Sequence, residues 1–502
     1  MSHLQNILWF LDVHTVLLCL VLLLILRWFF GRPKNLPPGP WGFPIVGSIT
    51  AVVREIRRGV QPHNLFMRYA AKYGPVFHIR ILNKTVVVLN NYASVKEAFQ
   101  NPQLNDRPKL LFTELFRSEA VGAASGEPWI ELRRFCLTVL RSFGVGKTSF
   151  EEKIGEEAEA LMKEMSAFNG KPFNPKPLLS NATSNVICSV IFGKRYDYSD
   201  EEFQRLLSLF GQNVRLAGAG GVFIFFPALR HLPFVSSNQL DLNMAQVRKF
   251  LTNIINSHRV AFDSDNLNDF TDVFLKEIKS NEEKAKAGVK HGHLTENSFV
   301  GTVGNLFVAG TETTATTLQW AILYMAVYPE IQKRVQAEID DVVGRNRLPR
   351  MADKPELNFT RAVIWEVQRL TIVAPLGLAH AAASDTQFRG FTIPKGALLV
   401  PNLWAVARDP NVWQEPNQFK PERFLNAKGE AVKADELIPF SVGRRSCIGE
   451  HLAKMELVIF FSYLMHQFTF KKPDDSPPLS LKARGGFTNS PVVFDICVSK
   501  RD

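Results

Sequence analysis

The sequence predicts a mainly α-helical body carrying small β-sheets, and three features predict it. Between about residue 90 and residue 375 the chain runs through Phe- and Leu-rich segments with amphipathic helical spacing. Strand-type sequence is confined to short pieces, first at Val76–Ile81 and Thr85–Leu89, later at Phe391–Ile393 and Leu398–Val400. No Gly/Ser linker, low-complexity run or internal repeat divides the 502 residues, of which 46% are hydrophobic and 21% charged. One large globular unit behind an N-terminal segment is the simplest organisation.

The N-terminal segment reads as a membrane anchor over residues 1–30. Val16 to Leu26 is unbroken apolar sequence, extended by Trp28, Phe29 and Phe30 and preceded by Ile7 to Leu11. Asp12 and His14 interrupt it, so the span is expected to begin after them. Arg27, Arg32 and Lys34 follow, and no Lys or Arg precedes, which leaves the body on the cytosolic side. A cleaved signal peptide would need a basic start and a small-residue cleavage site, and neither is present. Residues 31–40 end in Pro37-Pro38-Gly39-Pro40, a stiff hinge, and residues 41–502 form the body.

Val76–Ile81 and Thr85–Leu89, separated by Asn83-Lys84, read as a hairpin. Asn-x-Ser/Thr sequons at Asn83, Asn181 and Asn358 are chance matches if the body is cytosolic. The Val222–Phe234 stretch is apolar but too interrupted to span a bilayer. His291-Gly292-His293 offers two metal ligands and no third nearby. Cysteines 19, 136, 188, 447 and 497 are odd in number, scattered and without a C-x-x-C pair, which excludes a disulfide framework and suits a reducing compartment.

Two stretches carry chemistry. One lies in a helix expected from an N-cap at Thr295 to about Met325, roughly 45 Å long, and reads Ala309-Gly310-Thr311-Glu312-Thr313-Thr314. Ala309 and Gly310 are small where a flat ligand would approach, and the threonines of 311–317 favour a local distortion with hydroxyls turned to nearby carbonyls. The other is Pro439-Phe440-Ser441-Val442-Gly443-Arg444-Arg445-Ser446-Cys447-Ile448-Gly449, followed at once by helical sequence. A cysteine just ahead of a helix N-terminus is favoured as thiolate. Gly443 and Gly449 permit unusual backbone or close approach, and Arg445 can pair with an anionic group beside the sulfur.

The pattern Phe440-x-x-Gly443-x-Arg445-x-Cys447-x-Gly449, with Ala453 after it, resembles the haem-thiolate signature of the cytochromes P-450. So do the proline hinge, Trp129-x-x-x-Arg133, the Ala309–Thr314 run, Glu366-x-x-Arg369, Pro421-Glu422-Arg423-Phe424 and the Ala374–His380 turn. Asn185–Ser189 and Phe192–Arg195 resemble the microsomal family-2 type. Ala379 stands where that family usually has proline, and Ala407 where it often has histidine.

The resemblance implies a single triangular, mainly helical domain with small sheets behind one N-terminal transmembrane helix, seated in the endoplasmic reticulum membrane. It implies haem b with Cys447 as axial ligand of the iron, and Trp129, Arg133, His380 and Arg445 at the propionates. Ala309, Gly310, Phe440 and Gly449 would complete the cofactor site, with Thr313 and Glu312 relaying protons. Glu366, Arg369 and Arg423 would form a buried structural ion network. The implied activity inserts one oxygen atom from O2 into lipophilic substrates such as xenobiotics, fatty acids and steroids. The implied partners are an NADPH-dependent cytochrome reductase, cytochrome b5 as a second donor candidate, and membrane lipid, with no nucleic acid. The Val222–Phe234 patch would dip into the membrane, and the ridge of Arg134, Arg141 and Lys147, in a chain of net charge +11, would meet an acidic electron donor. A haem-thiolate isomerase or dehydratase acting on peroxides shares the cysteine loop without needing the Glu312–Thr313 pair. A haem-binding sensor or carrier without turnover is the other alternative. Arg107 and Arg117 are left open between a substrate carboxylate, a propionate and water.

Overall fold

Val76–Ile81 (β1) and Lys84–Leu89 (β2) pair antiparallel, Val76 opposite Leu89, as the expected hairpin with Lys84 drawn into the second strand. Every residue of β2 after Lys84 is buried, because Leu398–Pro401 (β6) pairs with it in parallel on its other side. His380–Ala381 (β3) completes the sheet in the order β1-β2-β6-β3. The Phe391–Ile393 segment (β5) goes elsewhere, pairing with Thr386–Phe388 (β4). The turn between them, Arg389-Gly390, holds φ +52° and +79°, the left-handed pair that tight hairpins demand. The two late strand signals therefore serve different sheets.

The computed structural model describes residues 13–23, 35–43, 46–82, 84–110, 119–145, 148–219, 237–289 and 292–501. Arg27, Arg32, Lys34, Asn83, Arg117, Lys147, the Val222–Phe234 patch and His291 lie outside the described residues, as do the ends of the expected membrane span. Residues 13–23 are helical and exposed, with Leu18 and Leu23 open to solvent. Among the described residues no helix is long and apolar enough to cross a membrane.

The chain forms two compact units, one of Met1–Asp106 with Leu378–Ala405 and one of Arg107–Gly377 with Val406–Asp502. The first holds the four-stranded sheet with Ile49–Arg57 (α1), Pro62–Tyr73 (α2) and Tyr92–Gln100 (α3). Asn402 ties its parts together, its amide donating to the His63 carbonyl and to Asn90 Oδ1, both at 2.9 Å.

The second unit is helical: Gly126–Ser142 (α4), Thr148–Ser166 (α5), Lys176–Ile191 (α6), Glu201–Ala219 (α7), Ser237–Ala261 (α8), Phe270–Lys286 (α9), Glu296–Val327 (α10), Pro329–Val343 (α11), Asn358–Thr371 (α12) and Glu450–Gln467 (α13). Phe468–Lys471 (β7) pairs with Cys497–Lys500 (β8) beside them. Thr295 is the N-cap of α10 and closes a capping box with Ser298, Ser298 N–H donating to Thr295 Oγ1 at 3.2 Å. Buried residues run all round α10, as expected of a helix enclosed by others. It packs on α6, α12 and α13, and α6 is likewise buried over most of its surface.

Candidate active site

Backbone bonds close the cysteine loop. Cys447 N–H donates to the Phe440 carbonyl at 3.0 Å and Ser446 N–H to the Gly443 carbonyl at 3.1 Å. Gly443 at φ +81° and Ser441 at φ +61° make the tight turn possible. Gly449 is the N-cap of α13 at φ −86°, a conformation any residue adopts, and a Cβ there would meet nothing within 4 Å. Gly443 thus serves backbone shape, while Gly449 leaves open space beside the sulfur.

Cys447 is exposed by surface area although protein crowds its sulfur from behind. That burial pushes the thiol up to about 11, and the Gly449 N–H and the Arg133 charge offset it only in part. Burial thus opposes the thiolate that the helix terminus favours. Coordination to a metal ion deprotonates a thiol outright, so the loop suits a metal-bound sulfur rather than a free reactive one.

Basic side chains brace the loop. The Arg445 guanidinium lies 4.0 Å from the Trp129 ring centroid and donates to the Ala124 carbonyl at 2.8 Å. Arg133, one turn beyond Trp129 on α4, donates to Ser446 Oγ at 3.3 Å. Arg107 donates through Nε to the Gly122 carbonyl at 3.2 Å, and burial, then the neighbouring Arg133 charge, hold its guanidinium down to about 9. Arg107 belongs with this cationic group, a placement its sequence context did not distinguish. Burial also lowers Arg133 below the usual arginine range, and among the described residues no carboxylate pairs with it. Clustered guanidiniums beside an open cysteine fit a cofactor that carries carboxylates and takes a thiolate ligand, as haem does.

On α10, Ala309 is exposed at the middle of an otherwise enclosed helix, and Thr313 Oγ1 donates to its carbonyl at 2.7 Å. Thr317 Oγ1 donates to the Thr313 carbonyl at 2.9 Å. The expected hydroxyl-to-carbonyl bonds are present, but α10 stays helical throughout, packed on α6, α12 and α13 and open only locally at Ala309. At Gly310 a Cβ would come within 3.1 Å of the Ile187 side chain, so its smallness serves the close approach of α6.

Glu312 lies beside a hydroxyl, that of Thr316, and also takes part in an ion pair. Its Oε2 accepts from Lys176 Nζ at 3.1 Å and its Oε1 from Thr316 Oγ1 at 3.1 Å. Nothing in the sequence around Lys176 marked it for this contact, since the pairing joins positions far apart in the chain.

Arg369 meets Glu366 through bonds of 2.7 and 2.8 Å, and Arg423 Nε reaches Glu366 Oε1 at 3.1 Å. This is the expected buried network. His380 belongs to the smaller unit, buried, its ring stacked 3.6 Å from Phe99 and its Nδ1 3.1 Å from the Leu104 carbonyl. His293 is taken up by Glu131, its N–H at 2.8 Å and its Nδ1 at 2.9 Å from Glu131 Oε2, which accounts for it without a metal.

Comparison with known proteins identifies the family. The family model Cytochrome P450 covers residues 37–498. The chain is 40% identical to Cytochrome P450 2J5 of Mus musculus over 94% of its own length and 92% of the relative's. It is 38% identical to Cytochrome P450 2U1 of Homo sapiens over 97% and 93%, and 39% identical to Cytochrome P450 2J2 of Homo sapiens over 93% and 91%. With the cysteine loop, its basic brace and the α10 run all lying within the matched span, the chain belongs to the cytochrome P450 family and is a haem-dependent monooxygenase of the microsomal family-2 type.

Proposed function

We propose that Cys447 is the axial ligand, that Trp129, Arg133, Arg445 and Arg107 hold the propionates, and that Thr313 and Glu312 manage protons for oxygen insertion into a lipophilic substrate. The net reaction takes R–H, O2, two electrons and two protons to R–OH and water. Bound haem supplies the redox-active iron, and the thiolate's electron donation favours O–O cleavage. The chain's own residues do the rest. The Phe440 carbonyl and Gly449 N–H fix the cysteine, Arg445 is clamped between Trp129 and Ala124, and Ala309 keeps α10 open above the site. Thr313 holds its hydroxyl proton on the Ala309 carbonyl until an oxygen acceptor competes for it.

Finer assignments rest on the sequence. Residues 1–30 would anchor the protein in the endoplasmic reticulum membrane, residues 31–40 would act as hinge, and residues 41–502 would work in the cytosol. NADPH–cytochrome reductase and cytochrome b5 would dock on a basic face that includes Arg134 and Arg141, both exposed on α4. Substrates named for the family-2 type, xenobiotics, fatty acids and steroids, are the class to screen.

The observation that carries this reading is the exposed Cys447 set among guanidiniums, Arg133 having no carboxylate partner among the described residues. Cys447→Ala should abolish the thiolate-type carbon monoxide spectrum of the reduced protein. A variant that kept this spectrum would sink the ligand assignment.

A further inference from the structure

We propose that Lys176 is the positioning residue of Glu312, fixing its carboxylate at the solvent-facing end of the route by which protons reach Thr313. The proposal rests on the reading of Glu312 and Thr313 as a proton relay.

Ala309 and Thr313 are four residues apart and share one face of α10, as their hydroxyl-to-carbonyl bond confirms. Glu312 and Thr316, also four apart, share the adjoining face, turned toward the first turn of α6. There Lys176 Nζ donates to Glu312 Oε2 at 3.1 Å and to Thr316 Oγ1 at 2.9 Å, while Thr316 Oγ1 donates to Glu312 Oε1 at 3.1 Å. The triangle closes: both carboxylate oxygens are held, and rotation of Glu312 breaks at least one bond.

The position is intermediate between core and water. Lys176 and Glu312 side chains are 25% and 17% exposed, while Thr311, Thr314 and Thr316 around them are buried. Lys176 is itself fixed, following Pro175 at the start of α6 with its N–H donating to Asn174 Oδ1 at 3.0 Å. Further along α6, Thr183 Oγ1 donates to the Thr311 carbonyl at 3.0 Å and Ser184 Oγ to Thr311 Oγ1 at 3.1 Å. One helix thus grips α10 through residues 311, 312 and 316, on both sides of Thr313. A surface ion pair would leave its carboxylate free to wander. This one sets the acid at a defined distance from the threonine, so that an intervening water chain is preorganised.

The test uses the full-length haem-loaded protein in reductase-containing membranes, with lauric acid as the probe. Peroxide formed per NADPH consumed measures protons that miss O–O cleavage, since O2 with two electrons and two protons leaves as H2O2. Lys176→Met should raise this fraction about threefold or more and enlarge the solvent deuterium isotope effect, with Lys176→Arg restoring both. Retention of the carbon monoxide spectrum in each variant confirms that the site is intact. Reductive methylation of Lys176, read by mass spectrometry, should run faster in Glu312→Gln than in wild type, independent of turnover. Equal labelling, or a peroxide fraction unchanged or lowered in Lys176→Met while Glu312→Gln raises it, overturns the proposal alone. A peroxide fraction unchanged in Glu312→Gln overturns the relay reading, and the proposal with it.

Discussion

Arg369 faces Glu366 across two parallel bonds with both side chains fully buried, one guanidinium edge on the carboxylate and the rest on backbone carbonyls of Ala407, Pro416 and Gln418. Those carbonyls belong to the segment leading to the cysteine loop, so the pair fastens irregular chain onto α12. Burial of two charges is tolerable only while each satisfies the other. Arg369→Leu or Glu366→Gln should therefore cost about 3–5 kcal/mol and release haem. Thermal melting together with haem content per protein checks this; a variant that melts normally and keeps its haem contradicts a structural role.

Gly310 and Ile187 define how closely α6 and α10 approach. A Cβ at 310 would lie 3.1 Å from Ile187, so Gly310→Val should destabilise by about 1–3 kcal/mol through overpacking. Combining it with Ile187→Ala should recover part of that loss. Denaturant unfolding of the single and double variants measures the coupling, and purely additive effects would show that the two side chains do not collide.

His258 lies 2.8 Å from Asp269, and this hydrogen bond, against opposing burial, raises the imidazole to about 9. The folded state thus binds the proton more tightly than the unfolded chain, near 6.5. The pair's stabilisation, on the order of 2 kcal/mol, is complete below about pH 6.5 and is lost as pH rises through about 9. Melting temperature against pH should show this decline in wild type and a flatter profile in His258→Gln.

Glu456 behaves with the same sign for a different reason. Burial pushes its carboxyl up to about 8, offset in part by the Thr314 hydroxyl at 3.0 Å. The fold prefers the neutral acid, so stability is highest below the unfolded value and falls as pH rises from about 4.5 to about 8. Glu456→Gln keeps shape and hydrogen bonding without the charge, and should stabilise the protein at pH 8 by on the order of 3 kcal/mol. An unchanged melting temperature at pH 8 would mean the carboxylate is solvated in the folded state.

Local chemistry made much of this protein readable from its sequence. The hairpin, the Thr295 cap, the turn at Gly443 and the pairing of Trp129 with Arg133 on one helix face each depend on residues within a few positions of one another. Short-range sterics and hydrogen bonding decide such features wherever the chain is placed. The cysteine loop was legible because its backbone demands and its basic residues are contiguous. Tertiary structure decided what no window of sequence contains. It set Ile187 against Gly310, Lys176 on Glu312, Arg107 beside Arg133 and Glu456 under Thr314, and it sent two neighbouring strands to different sheets. These outcomes follow from packing and burial, which depend on where distant segments meet, and burial is what turns an ordinary thiol, carboxyl or guanidinium into a perturbed one.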